Sequence, residues 1–342
     1  MLRADLVLEG GGVKGIGLVG ALMEAEARGY RWVNLAGTSA GAIVAALVAA
    51  GYRAVELAEI LEDLDYRRFA RPSGLGRVPL IGLPLNLILR LGLFSGDALE
   101  DWVADLLAAR GVRVFGDLVI PEFADDPRYR YRLQVVASDL TRRRLLVLPR
   151  DARHYGLDPD AVPVARAVRM SAGVPFFFEP VILAGRRGRR GVIVDGGLLS
   201  NFPVWLFDCD GHPPWPTFGV KIVEPGEGRP SRIRGPISLL AAVVSTMLEA
   251  HDARYVEDAD FVRTIAVPSR GVGTVEFDLS PEQARMLLDA GRRAARSFFE
   301  TWDFDRYVAH FRDHRADRHG GSRGDHRGGG RGARLRGGGV TA

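Results

Sequence analysis

Residues 35–43 read LAGTSAGAI: a serine with one glycine two positions before it and another two positions after it. The run is entered from the apolar WVN and continues as AIVAALVAAG. A strand that ends on a serine and turns at once into a helix doubles back sharply. A Cβ two positions to either side would collide, which is the use of Gly37 and Gly41. The segment after Ser39 is apolar on every face, as a helix enclosed in a large protein is. Ser39 therefore stands where a hydrolase presents a nucleophile, and the bland reading is a serine capping a buried helix.

Upstream, DLVLEG reads as a buried strand running into EGGGVKG, residues 9–15, and then an amphipathic helix from about Gly15 to Arg28 stopped by Gly29. Both glycine-rich turns thus join a strand to a helix. Glycines that open a helix leave backbone N–H groups unobstructed, ready for an oxyanion or for a phosphate. Gly10, Gly12 and Gly15 also satisfy the dinucleotide fingerprint G-x-G-x-x-G, which makes a nucleotide-binding oxidoreductase the rival reading. That fingerprint asks for an acidic residue about twenty positions on, at the end of the next strand; here that strand runs into AGTSAG. Lys14 either supports anion binding or, as the favoured reading, lies on the outer face of the first turn.

Downstream, Asp97 and Glu100 have capping-box spacing and open a helix that keeps its periodicity to Gly111. Strands are expected at YRLQVVASDL and RLLVLP, and a hairpin at VILAGRRGRRGVIVDGG. TFGVKIVE, residues 236–257, FVRTIAV and residues 281–301 continue an alternation of strand and helix. The pattern predicts an α/β protein with a largely parallel sheet covered on both faces.

What takes the proton from Ser39? Asp195, in GVIVDGGLLSN, closes an apolar strand before two glycines that let another segment approach closely. An exposed aspartate is a poor base at neutral pH, but burial raises its pKa. The alternative is an ordinary Asp-Gly-Gly turn. Among the histidines, His310, His314, His319 and His326 lie in or beside the C-terminal tail, and His212 in a proline-rich loop. His154 and His251 read as solvated. A pair formed by Ser39 and Asp195 is the economical reading, with no metal and no cofactor.

The rest of the 342-residue chain sets bounds: 47% hydrophobic residues and one cysteine, Cys209, fit a soluble cytoplasmic protein with one folded domain. The net charge of +4 falls largely in the last thirty residues, so nucleic acid is not an expected partner. Residues 1–312 are expected to fold, and 313–342, rich in Gly and Arg, to be a disordered tail. VPLIGLPLNLILRLGLF, residues 78–94, is broken by Pro84, Asn86 and Arg90 and is too short to span a bilayer. It is either an apolar lid or internal packing. The GRRGRRG tip, residues 185–191, reads as a solvated hairpin end, with anionic headgroups as its alternative partner.

In the order GGGVKG, GTSAG, DGG, the sequence resembles the patatin-like phospholipase family from residue 5 to about residue 302. The resemblance implies a three-layer α/β/α fold and a lipid acyl hydrolase that cleaves fatty-acyl esters of lipids or phospholipids, independent of calcium. It implies Ser39 as nucleophile and Asp195 as base. Gly10, Gly11, Gly12 and Ala40 would form the oxyanion hole, with Lys14, Gly15, Gly37, Gly41, Gly196 and Gly197 as supporting motif positions. VRMSAGVPFFFEPV looks like the small-residue segment found upstream of the family's aspartate strand. Peripheral membrane contact is consistent with such a substrate, and a non-catalytic regulatory protein on the same fold is the remaining alternative.

Overall fold

β1 (Leu2–Leu8), β2 (Tyr30–Thr38) and β4 (Leu133–Asp139) are buried over long apolar stretches, β4 along its whole length, and this places them at the centre of a sheet. The computed structural model describes residues 1–70, 82–185, 190–209, 211–223, 258–272 and 279–311, with single positions between 233 and 246. The sheet runs in the order β10 (Thr264–Pro268), β9 (Thr217–Val223), β1, β2, β4, β8 (Arg190–Asp195), β7 (Val181–Ala184), and β5 (Arg144–Leu148) also pairs with β4. From β10 to β4 every pairing is parallel, while β5, β8 and β7 join antiparallel. The sheet is therefore mixed and largely parallel, as the alternation of strand and helix predicts.

Period-two alternation sorts the core. Leu6, Leu8, Leu35, Leu133 and Val135 face a large cluster built with α1 (Gly15–Ala27), α2 (Ala40–Ala49), α5 (Asp97–Ala108), α6 (Val164–Ser171) and the helix Pro281–Thr301. Val7, Ala36, Val136 and Val147 face the other way and are covered by Phe202, Val204, Leu206 and Phe207, around a 3-10 turn.

Some expectations shift. α1 is buried continuously from Gly15 to Leu22, so its first half is enclosed rather than amphipathic. The N-cap of α5 is Gly96 in the left-handed region at φ 77°, with Asp97 the first helical residue; the Gly96 carbonyl accepts from Leu99 and Glu100, and Glu100 pairs with Arg166. In FVRTIAV the strand begins only at Thr264, because Phe261 and Val262 close a short helix, Asp258–Val262. Most of residues 236–257, all of 186–189 and the tail 313–342 lie outside the described residues.

Of the apolar stretch 78–94, residues 82–90 form helix α4 (Gly82–Arg90) and residues 92–94 form β3 (Gly92–Phe94), which pairs with β6 (Phe176–Phe178); residues 78–81 are outside the description. Its pattern is inverted: Asn86 is buried, whereas Leu85, Ile88 and Leu89 are exposed by 37%, 73% and 61%. These leucines and this isoleucine are not core. Among the described residues no helix is long and apolar enough to cross a membrane.

Candidate active site

The site forms where two strands meet head-on along one edge of β4. β2, parallel to β4, pairs with Leu133 to Val136 and stops with Thr38 opposite Val136. β8, antiparallel, pairs with Asp139 back to Ala137 and stops with Asp195 opposite Ala137. β5 occupies residues 135–139 on the opposite edge. Neither oncoming strand can continue, so both chains leave the sheet at neighbouring positions. Ser39 is the first residue out of β2, and Asp195 is the last residue of β8.

The serine leaves through a strained backbone. Ser39 has φ 53° and ψ −124°, a region that non-glycine residues rarely adopt and that persists at functional sites when surroundings enforce it. Its neighbours explain the two glycines: a Cβ on Gly37 would lie 2.4 Å from the Gly41 carbonyl oxygen, and one on Gly41 would lie 2.3 Å from that of Leu8. The Ser39 carbonyl accepts from Ala42 and Ile43, starting α2. Its N–H donates to the Ser171 hydroxyl at 2.8 Å, and that hydroxyl donates to the Val136 carbonyl at 2.6 Å.

Asp195 is fully buried, and desolvation pushes its carboxyl up to about 7 from the ordinary 3.8. Two groups pull the other way: the Gly197 N–H, which donates to Oδ1 at 2.8 Å, and the neighbouring Ser39 hydroxyl. The second oxygen, Oδ2, is buried and has no hydrogen-bond partner among the described residues. Gly196 is required for this close approach, since a Cβ there would meet the Val136 carbonyl oxygen at 2.2 Å and Thr38 Cγ2 at 3.0 Å.

The glycine loop abuts the elbow: a Cβ on Gly10 would lie 3.1 Å from Ser39 Cβ, and one on Gly15 would lie 3.3 Å from Ala40 Cβ. Gly11 caps and Gly12, at φ 56°, opens a 3-10 turn. The first amides of such a turn, like that of Ala40 at the start of α2, have no partner within the helix. Gly10 differs from the expectation that it would be a free donor. Its N–H donates to the Asn201 carbonyl at 3.2 Å, and Asn201 Nδ2 returns a bond to the Gly10 carbonyl at 3.1 Å. Lys14 is buried rather than on an outer face, its chain being only 9% exposed.

Sequence reading missed the residues that hold this arrangement. Asn201 clamps Gly10 and donates to Glu9 Oε1 at 3.4 Å; Glu9, also buried, accepts the Ile222 N–H at 2.5 Å and pairs with Lys221 at 3.5 Å. Ser171 ends α6 and Gly173 stands two residues on, where its carbonyl accepts the Asp195 N–H at 2.8 Å. Asn201 stands six residues after Asp195 in LLSN, and Ser171 lies in the small-residue segment RMSAG. Nothing in either stretch says which distant backbone group it will meet.

Comparison with known proteins agrees with the fold and the family. The patatin-like phospholipase family model matches residues 6–208. The uncharacterized protein YqhO of Bacillus subtilis is 41% identical over 302 residues, covering 88% of this chain and 99% of YqhO. The uncharacterized protein R571 of Acanthamoeba polyphaga mimivirus is 24% identical, covering 85% and 92% of the two chains. Among solved structures, VipD from Legionella pneumophila superposes with a TM-score of 0.52 at 18% identity, covering 87% of this chain and 67% of VipD. The chain belongs to the patatin-like phospholipase family, which implies lipid hydrolase activity in general terms.

Proposed function

We propose that the protein hydrolyses fatty-acyl esters of lipids through a Ser39–Asp195 pair and an acyl-enzyme. The observation that carries this reading is the fully buried Asp195 carboxyl, whose Oδ2 has no hydrogen-bond partner among the described residues, next to the hydroxyl of a strained serine. Ser39 Oγ attacks the ester carbonyl carbon while its proton passes to Asp195. The charge that develops on the carbonyl oxygen is met by the Gly11 and Gly12 amides and by the Ala40 amide at the positive end of α2. Losing one such donor typically costs about 3 kcal/mol of barrier. Gly10 commits its N–H to the Asn201 carbonyl and leaves the oxyanion to the others. The ester C–O bond then breaks, and the leaving alcohol takes the proton from Asp195. Water gives a proton to the same carboxylate and attacks the acyl carbonyl carbon; the bond from that carbon to Ser39 Oγ breaks, Oγ takes the proton back from Asp195, and the fatty acid leaves.

A fluorophosphonate probe and p-nitrophenyl esters test the reading. Wild type is expected to be labelled on Ser39, and Ser39→Ala to lose hydrolysis on the order of 10⁴-fold or more. An unlabelled wild type, or a variant as active as wild type, ends the proposal.

Membrane contact is the second part of the reading. Leu85, Ile88 and Leu89 repeat at i, i+3, i+4 on an exposed face of α4, with Leu91 and Phe176 exposed by 52% and 39% nearby in sequence or sheet register. Phe176 is three residues from Gly173, whose carbonyl holds the Asp195 amide. A lipid surface resting on this patch would lie close to the site. Ile88→Ser with Leu89→Ser is expected to lower cosedimentation with phosphatidylcholine vesicles and turnover of vesicle substrate severalfold, while leaving a soluble short-chain ester unaffected.

A further inference from the structure

We infer that Ser171 is a positioning residue: its hydroxyl sets the Ser39 elbow, and with Gly173 it fixes the distance between the elbow and Asp195. The inference rests on the reading of Ser39 as the nucleophile. The geometry behind it is a bridge of three residues. Residue 171 holds the Ser39 amide through its side chain, and residue 173 holds the Asp195 amide through its carbonyl.

The bridge answers a problem created by the sheet. β2 pairs with β4 up to Thr38 opposite Val136, and the chain then departs. The amide of Ser39 and the carbonyl of Val136 are left where the next rung of the ladder would fall. Both are buried backbone groups, and buried backbone groups need partners. The Ser171 hydroxyl is inserted between them, accepting from one and donating to the other at 2.8 and 2.6 Å. A hydroxyl can do both at once; a methyl can do neither. The strained φ of Ser39 is thereby fixed from its N–H side by Ser171 and from its carbonyl side by the first turn of α2.

Ser171 is itself held firmly. It ends α6, is fully buried, and sits two residues after Arg169. The buried Arg169 guanidinium donates through Nη2 to the carbonyls of Ser95 and Glu179, each at 2.6 Å, and lies 5.0 Å from the centre of the Phe178 ring. The end of α6 is tied on both sides of the segment that reaches the site. The same end supplies the Gly173 carbonyl, so a shift of α6 would move the serine and the aspartate together, whereas loss of the hydroxyl alone would release only the serine.

The test compares Ser171→Ala and Ser171→Thr with wild type by steady-state kinetics on a soluble ester, by the second-order rate of fluorophosphonate labelling, and by amide exchange of the peptide spanning residues 35–43. Ser171→Ala is expected to lower kcat on the order of a hundredfold with KM nearly unchanged, to slow labelling in proportion, and to speed exchange of that peptide. Ser171→Thr, which keeps the hydroxyl, is expected to recover most of each. If Ser171→Ala does not fold, Ser171→Cys, similar in size and weak as donor and acceptor, is read the same way. A variant without the hydroxyl that keeps wild-type kcat and labelling overturns the inference, as does a Thr variant no better than Ala. An unlabelled wild type defeats the catalytic reading alone: faster exchange in Ser171→Ala, restored in Ser171→Thr, would still show the elbow held by Ser171, and unchanged exchange would sink both.

Discussion

Two buried aspartates, Asp195 and Asp5, share a raised pKa and differ in what surrounds them. Burial pushes each carboxyl up to about 7 from the ordinary 3.8. Asp5 lies within β1, where the register with β2 slips between Ala4 opposite Trp32 and Leu6 opposite Leu35. The slip frees the Asn34 amide, and Asp5 Oδ1 accepts it at 3.1 Å; the Trp215 side chain is a second donor. Asp5 is thus occupied in mending a bulge. Asp195 ends its strand against another chain end, has one oxygen without a hydrogen-bond partner among the described residues and neighbours a hydroxyl. A raised pKa by itself therefore marks burial, and what separates the two aspartates is the serine hydroxyl next to Asp195.

Replacing each aspartate by asparagine sharpens the contrast most. Asp195→Asn is expected to cut kcat/KM for a soluble ester on the order of 10⁴-fold, because an amide cannot take the serine proton. Asp5→Asn keeps an acceptor for the Asn34 amide and is expected to stay within about twofold of wild type. Equal losses in the two variants would mean that burial, not position, is what matters.

Smaller effects appear in the pH dependence. A base must be ionised to work, so wild-type kcat/KM is expected to climb with pH and level off above about 7, following Asp195. Stability runs the opposite way. Each folded-state pKa lies above its unfolded value of 3.8, so the contribution is fully present below that pH and is lost as pH rises through about 7. Carboxylates held below their ordinary range, such as Asp139 beside Tyr155 and Arg142, act at more acid pH. The unfolding free energy from urea titrations between about pH 5 and 8 is expected to fall with pH in wild type and less steeply in Asp5→Asn, the difference being on the order of a few kcal/mol. A steeper fall in that variant would contradict the assignment.

Much of this was legible beforehand. The elbow around Ser39, the apolar α2, the helix over residues 281–301 and the parallel character of the sheet all rest on local rules: apolar periodicity, and glycine where a Cβ cannot fit. The expected α5 cap missed by one residue because Gly96 adopts a left-handed conformation that Asp97 only follows. The exposure of Ile88 and Leu89 around a buried Asn86 ran against hydropathy, which records composition and not which side of a helix has a neighbour. Asn201, Ser171 and Gly173 were unread because each acts on an amide far away in the chain.

By itself the sequence determined the elements and the short turns that carry the serine, the glycine loop and the aspartate, since each is fixed by sterics within a few residues. The tertiary structure decided that these turns meet. β2 and β8 run toward each other along one edge of β4 and stop at Val136 and Ala137, and that register puts Ser39 and Asp195 side by side. Register between strands more than fifty residues apart is set by packing across the whole sheet, and no local pattern encodes it.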